Sequence, residues 1–303
     1  HGNLMSKLII IQGPTASGKS SLALNLAQQI NAPIISADSR QFYRELSIGT
    51  AKPSPKELSV AKHYFVDTHS IHELTLTSAG FMKAARLQIT ELFNKGAEHI
   101  IVTGGSGMFI DALIEGLHAS PSDPKVRAAL NEEWKSNGME PLLKELEKAD
   151  PLAYEKMDIN NPMRVLRALE VIRVSGKTIE EIRMQEKEGI DFPFVRFGIS
   201  WKREDLYDRI NLRVEQMIEQ GLFDEVKGLP LKENILLQNT VGYKEWISYL
   251  DNGMSFEDTI ALIQKNSRNY GKRQETWMRR YSDLVTLNPY DSIPMLDQLL
   301  KHI

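Results

Sequence analysis

Cysteine is absent from the 303 residues. That excludes disulfides, iron–sulfur clusters, cysteine-ligated zinc and a thiol nucleophile. No uninterrupted apolar run approaches the ~18–20 residues of a membrane-spanning helix, so no membrane association is expected. Charge of one sign is also scarce: 37 Lys+Arg stand against 40 Asp+Glu, a formal net charge of −3. This balance argues against a uniformly basic nucleic-acid binder but leaves local patches open. The seven histidines include no H-x-x-x-H pair, and none is assigned to a metal. What is present is an ordinary globular composition, 42% hydrophobic and 25% charged, with apolar surface enough for a core. The length suits one large domain or two smaller ones. Residues 1–4 precede Met5, which reads as the native start. No signal or Arg-rich transit segment follows, so a cytoplasmic protein is expected.

Strand and helix patterns alternate along the front of the chain. Leu8, Ile9, Ile10 and Ile11 form a short β-branched run that ends at Gly13, the pattern of a buried parallel strand. A helical period follows over 20–30, then strand patterns over 33–36 and 63–66, a helix over 79–93 and a buried strand over 99–103. The order predicts an α/β fold with a mainly parallel sheet. From 118 to 192 the texture turns charged and helical, and strand character returns over 195–201. A helical insertion, 118–192, inside an α/β core built from 5–117 and 193–303 is the economical reading. Amphipathic helices are expected over 205–220, 241–251 and 256–280. Trp134, Trp201 and Trp246 are read as core residues.

Gly13, Pro14, Thr15, Ala16, Ser17, Gly18, Lys19 and Ser20 match G-x-x-x-x-G-K-[ST] between a strand and a helix. The glycines let the backbone curl so that N–H groups converge on phosphate oxygens, and the following helix points its positive end at the anion. Lys19 adds a point charge, and the Ser20 hydroxyl can ligate Mg²⁺. Proteins that hydrolyse nucleotides usually place an acid at the end of a second apolar strand to hold that metal. Here the strand over 99–103 runs into Gly104 and Gly105, which read as a second substrate loop. The acid nearest a strand end is Asp38. Parallel strands end on one edge, where ligands bind, so Asp38 falls beside the phosphates as a metal holder, a general base, or simply a loop turn.

Several segments occur together in order: GPTASGKS, SADSRQFYRELSIGTAKP, TGGSGMFIDALIEGL, NNPMRVLRALEV, RINLRVEQM, TVGYKEW and YGKRQETWMRR. From about residue 7 to 281 the chain resembles the tRNA dimethylallyltransferases, also called tRNA isopentenyltransferases. With no Cys and an end at Ile303 it resembles their short bacterial form, which lacks a zinc finger. The resemblance implies a P-loop NTPase-like core whose cradle grips a diphosphate leaving group rather than ATP. It implies transfer of a dimethylallyl group from dimethylallyl diphosphate to N6 of adenosine 37 of tRNA, with Mg²⁺ as cofactor. Asp38 matches the general base. Thr15, Lys19 and Ser20 match the diphosphate and Mg²⁺ contacts, and Arg213 matches the arginine that neutralises the diphosphate.

The resemblance also maps tRNA contacts. They fall on Asp38, Ser39, Arg40 and Gln41, then on Ser106 and Arg127, and on Met163, Arg164, Val165, Leu166 and Arg167. Further along they fall on Asn239, Thr240, Val241, Gly242, Tyr243 and Lys244. The last stretch comprises Lys272, Arg273, Gln274, Glu275, Thr276, Trp277, Met278 and Arg279. Ser106 stands where the family more often has Thr, and Arg40 where an apolar residue is usual.

The charge pattern adds its own argument for RNA. Six basic residues and one acid lie between Lys265 and Arg280, with Lys265, Arg268, Lys272 and Arg279 at helical spacing. Phe256, Ile260, Ile263, Tyr270 and Trp277 form a second, core-facing stripe. A helix packed on one side and cationic on the other suits phosphate contact. Arg164, Arg167, Arg173 and Lys177 give the insertion a second basic group. Arg209 and Arg213 share a helix face, and surface pairing of Arg209 with Asp205 or Asp208 is an equal alternative. A kinase using the cradle for ATP, and a non-catalytic RNA-binding protein, remain alternatives at this stage. A monomer is expected, since no heptads or large apolar stripe call for a partner.

Overall fold

The computed structural model describes residues 6–118 and 120–303; Met5 lies outside them. Among the described residues there are six strands: β1 (Lys7–Gln12), β2 (Ile34–Ser36), β3 (His63–Tyr64), β4 (His99–Thr103), β5 (Phe194–Ile199) and β6 (Leu284–Leu287). They form one sheet in the order β3-β2-β4-β1-β5-β6, and every neighbouring pair is parallel. Their continuous apolar runs are explained by burial on both faces. Leu8 and Ile10 of β1 enter one cluster with Ile35, Ile100 and Val102. Ile9 and Ile11 point the other way, against Ile34, Ile101, Phe197 and Ile199. Side chains that alternate at period 2 thus feed two separate cores, and each fully buried aliphatic contributes about 1.5–3 kcal/mol.

The register sets the ends of the strands level. Ile11 pairs with Thr103, and Thr103 with Ser36. The loops that follow β1, β2 and β4 therefore leave from one edge of the sheet. These are the loops that carry the 13–20 motif, Asp38, and Gly104 with Gly105.

By contacts the chain divides into two compact units, residues 115–189 and the remainder. The insertion thus begins and ends three residues earlier than the sequence pattern placed it. It is built of helices Pro124–Asn137, Glu140–Ala149, Pro151–Lys156, Pro162–Ser175 and Ile179–Arg183. Local chemistry starts these helices. Asp123, Asp150 and Asn161 each accept a backbone N–H of the first turn, with Pro at the start of the helix. Thr178 and Glu181 make a reciprocal capping box. Such caps contribute about 1 kcal/mol each. Leu130, Leu142, Leu146, Val165, Leu166 and Leu169 form the core of this unit.

Two expectations are corrected and one element is added. The strand at 63–66 stops at Tyr64 because Phe65 and Asp67 adopt φ of 66° and 57°, outside the extended region. The helix expected over 241–251 begins only at Trp246. Gly242 has φ 94° and its N–H is taken by the Glu245 carboxylate, so the segment before it turns. Finally, β6 pairs with β5 at the edge of the sheet, a strand the apolar pattern did not reveal. Trp246 is fully buried, whereas Trp134 and Trp201 are half-buried at the edges of their clusters.

Candidate active site

The loop after β1 is shaped by two left-handed residues, Ala16 (φ 62°) and Gly18 (φ 93°), and the helix Lys19–Ile30 starts directly behind it. Ser17 N–H donates to Pro14 C=O at 3.1 Å, and Lys19 Nζ donates to the same carbonyl at 3.3 Å. Other elements take the loop's outward carbonyls. Arg209 Nε donates to Ala16 O at 2.8 Å, and Trp201 Nε1 donates to Ser17 O at 2.9 Å. The Arg209 guanidinium also lies over the Trp201 ring, 4.3 Å from its centre. Arg209 is thus a support of the cradle, which replaces the surface-pair alternative. Thr15 N–H donates to Gln274 Oε1 at 2.7 Å, so this amide is already engaged. Ser17 Oγ is buried without a hydrogen-bond partner.

A cavity of about 260 Å³ opens beside the loop. Thr15, Lys19, Ser20, Asp38, Arg213, Gly104 and Gly105 line it together. Of the motif, Thr15, Lys19 and Ser20 reach the cavity wall; Gly13, Pro14, Ala16, Ser17 and Gly18 shape the turn behind them. Asp38 is half-buried. Its Oδ1 accepts Arg40 N–H at 2.9 Å and Gln41 N–H at 3.4 Å, an Asx turn that aims the carboxylate from the end of β2. The Ala37–Ser39 stretch rests on the loop after β4. Ala37 N–H donates to Thr103 O at 2.7 Å, and Ser39 N–H donates to Ser106 Oγ at 2.9 Å. A Cβ at Gly104 would run into the Ala37 backbone, so glycine is required for this approach.

Three charges communicate across the cavity. Burial, then the Arg213 guanidinium, lower the Lys19 ammonium from 10.5 to about 8, and Asp38 opposes the shift. Burial and Arg209 likewise push Arg213 down, with Asp38 again opposing. Desolvated cations held together at an energetic cost are a site prepared for an anion.

The remaining predicted residues divide clearly. Ser39, Arg40, Gln41, Asn239, Thr240, Val241, Gly242, Lys244, Arg273 and Gln274 line the same cavity. Arg40 Nη2 donates to Asn239 O at 3.5 Å. Tyr243 does not reach it: fully buried, its hydroxyl donates to Glu225 at 2.6 Å, which gives it a structural role in place of the expected tRNA contact. The same carboxylate accepts the N–H groups of Ser47, Ile48 and Gly49 and so fixes the 47–53 loop that forms part of the wall. On the helix Phe256–Met278 and just after it, Lys272, Thr276 and Arg279 are exposed, and Glu275 and Met278 are half-buried. Trp277 is also half-buried; its Nε1 donates to Asp111 at 3.0 Å. Arg268 instead donates to Asn211 at 2.7 Å.

In the helical unit, Met163 and Arg164 are exposed. Val165 and Leu166 are core residues, 0% and 6% exposed, so their side chains offer RNA nothing and that expectation is corrected. Arg127 and Arg167 both pair with the buried carboxylate of Glu170, at 3.0 and 2.8 Å. Arg173 is held by Glu133 and Glu145, which removes it from the expected basic group. Sequence reasoning missed Glu170, Glu225 and the double contact of Gln274, because an acid or amide on a helix reads by default as a solvated face.

Among the described residues no cluster of three His, Asp or Glu side chains could hold a metal. The Ser20 hydroxyl at the cavity wall is a hard oxygen donor of the kind Mg²⁺ takes, an ion that keeps several waters and draws its other ligands largely from substrate phosphates.

Comparison with known proteins gives a consistent picture. The family described as IPP transferase matches residues 41–281. The tRNA dimethylallyltransferase of Cytophaga hutchinsonii is 39% identical over 283 residues, covering 93% of this chain and 92% of that protein. That of Christiangramia forsetii is 42% identical and covers 90% of each. Among solved structures, the tRNA isopentenylpyrophosphate transferase of Bacillus halodurans superposes with a TM-score of 0.71 at 34% identity, covering 98% of this chain and 94% of that one. A eukaryotic dimethylallyltransferase acting on tRNA gives 0.82 at 27% identity, covering 93% and 74%.

Proposed function

The chain belongs to the IPP transferase family, and from that premise we propose that it transfers a dimethylallyl group from dimethylallyl diphosphate to N6 of adenosine 37 in the tRNA anticodon loop, releasing diphosphate. The observation that carries this reading is the meeting of Asp38 with Lys19 and Arg213 in one cavity. An adenine amine is a weak nucleophile because its lone pair is delocalised into the ring. Asp38 takes the N6 proton as the N6–C1 bond forms, a contribution of about 10²–10⁴-fold. The C1–O bond breaks at the same centre, and its electrons leave on the diphosphate. Lys19, Arg213 and the loop's remaining amides stabilise that charge where it develops. Mg²⁺, held through the diphosphate and the Ser20 hydroxyl, would supply further charge neutralisation.

The same site orients the substrates. Ile210 and Met217 flank Arg213 on one helix and, with Ile263, line the cavity; they give the prenyl tail an apolar wall beside the charged one. Ser39, Arg40, Asn239 and Lys244 meet the target nucleotide, which must leave its stack to reach Asp38. The exposed Lys272, Arg273 and Arg279 offer cations to the RNA backbone, and the helical unit adds Arg127, Met163, Arg164 and Arg167. No helix among the described residues is long and apolar enough to cross a membrane; action in the cytoplasm as a single chain is part of this proposal.

The test is incubation of the purified chain with unmodified tRNA and dimethylallyl diphosphate, followed by mass spectrometry of the nucleosides. The expected product is N6-dimethylallyl adenosine at position 37. ATP turnover without tRNA, and no modified adenosine, would point to a kinase instead.

A further inference from the structure

We propose that Gln274 is a positioning residue that locks the phosphate loop and the Asp38 loop into one unit, so that diphosphate binding and proton removal are set by a single side chain. This rests on the proposed prenyl transfer. Gln274 sits on the helix Phe256–Met278, at 8% exposure. Its Oε1 accepts Thr15 N–H at 2.7 Å. Its Nε2 donates to Gly105 O at 3.0 Å. The two ends of one amide thus grip two loops that lie 90 residues apart in sequence, and the side chain's own donor and acceptor are both used.

The second grip reaches Asp38 in short steps. Gly105 precedes Ser106, whose Oγ accepts Ser39 N–H at 2.9 Å and whose own N–H donates to Ala37 O at 3.3 Å. Asp38 lies between those two contacts. There is little slack in the chain: a Cβ at Gly105 would strike Gln274 Nε2, and one at Gly104 the Ala37 backbone. Tyr270, one helical turn before Gln274, also directs its hydroxyl to Gly105 O at 3.5 Å. Its close relatives do not satisfy both ends. Glu lacks the donor, Asn is one carbon too short, and Met fills the space but leaves the Thr15 N–H without its partner and Gly105 O with only the longer contact from Tyr270.

The coupling predicts a specific pattern. Gln274→Met, close to isosteric, should weaken inorganic pyrophosphate binding about tenfold in the absence of tRNA, because the Thr15 end of the phosphate loop is released. It should also lower kcat about tenfold or more, because the Asp38 loop is released. Ser106→Ala breaks only the second path, so it should lower kcat and leave pyrophosphate affinity unchanged. The double variant should lose less kcat than the product of the two single losses, as residues on one path do.

The experiment is calorimetry with pyrophosphate and steady-state kinetics with tRNA and dimethylallyl diphosphate, at a temperature where melting curves show all variants folded. Wild-type pyrophosphate affinity in folded Gln274→Met, or strictly multiplicative kcat losses, would overturn the proposal. Absence of tRNA modification by the wild-type chain would instead overturn the prenyl-transfer reading, while the pyrophosphate arm would still decide the grip of Gln274 on the phosphate loop.

Discussion

Arg209 donates its Nε–H to the carbonyl of Ala16 at 2.8 Å while its guanidinium stacks on Trp201. The residue that looked like half of a surface ion pair is therefore a brace behind the phosphate loop. Stacking and a directed Nε–H together require a planar guanidinium. Arg209→Leu should weaken pyrophosphate binding about tenfold, and Arg209→Lys should fail to restore it; titration calorimetry reads both. Full recovery by lysine would mean that only the charge matters.

Lys19 makes the site pH-sensitive from the alkaline side. In the free protein its ammonium loses its proton near pH 8, below the ordinary 10.5, because of burial and Arg213. A bound diphosphate favours the charged form and raises that value again. The Lys19 contribution to pyrophosphate affinity should therefore be nearly level below about pH 7. Above it, affinity should fall by up to about tenfold per pH unit until the pKa of the complex is reached. Lys19→Met should bind weakly and show a flatter profile between pH 7 and 9.

Glu225 should be a large stability determinant although it lies outside the reacting centre. One carboxylate accepts three consecutive backbone N–H groups, from Ser47, Ile48 and Gly49, and the Tyr243 hydroxyl. Glu225→Ala leaves these donors without a partner at a cost of about 3 kcal/mol or more. Urea unfolding should show a lower midpoint with the slope unchanged. Tyr243→Phe removes one hydrogen bond and should cost only about 1 kcal/mol.

Glu170 ties acid stability to the helical unit. Burial pushes its carboxyl up, but hydrogen bonds from Arg127, Arg167 and the Asp123 amide outweigh it and hold the group below its ordinary 4.5. A lowered folded value contributes stability that is complete above about pH 4.5 and is lost as pH falls through the folded value. Glu170→Gln should remove that part of the acid sensitivity, read from melting temperatures between pH 3 and 6. It should also loosen Arg127 and Arg167 and weaken tRNA binding while leaving pyrophosphate binding intact.

How much of this was legible in the sequence follows from which signals are local. The phosphate loop was readable because its spacing is the chemistry, and β1 and β4 because doubly buried parallel strands leave unbroken apolar runs. Asp38 could be placed at the ligand edge by topology alone. The edge strand β6 was not readable, since only one of its four residues is buried. Nor was the turn before Trp246, where Gly242 and Glu245 override the helical period. The supports of the site were hidden for a different reason. The contacts of Gln274 with Thr15, Arg209 with Ala16, Glu225 with Ser47 and Glu170 with Arg127 span 43 to 259 positions, and nothing in the immediate neighbours of these residues marks those contacts. The same blindness applies at Val165, Leu166 and Tyr243, whose side chains are buried: a motif was legible but the direction of each side chain was not.

The central claim is that Asp38 removes the N6 proton while other residues hold the substrates. Comparison of Asp38→Ala with the wild-type chain, in single-turnover prenylation of tRNA alongside direct tRNA binding, tests it most directly. The account predicts a rate constant lower by about 10²–10⁴-fold, with tRNA and pyrophosphate affinities within a few-fold of wild type. A variant that prenylates adenosine 37 at close to the wild-type rate would contradict it.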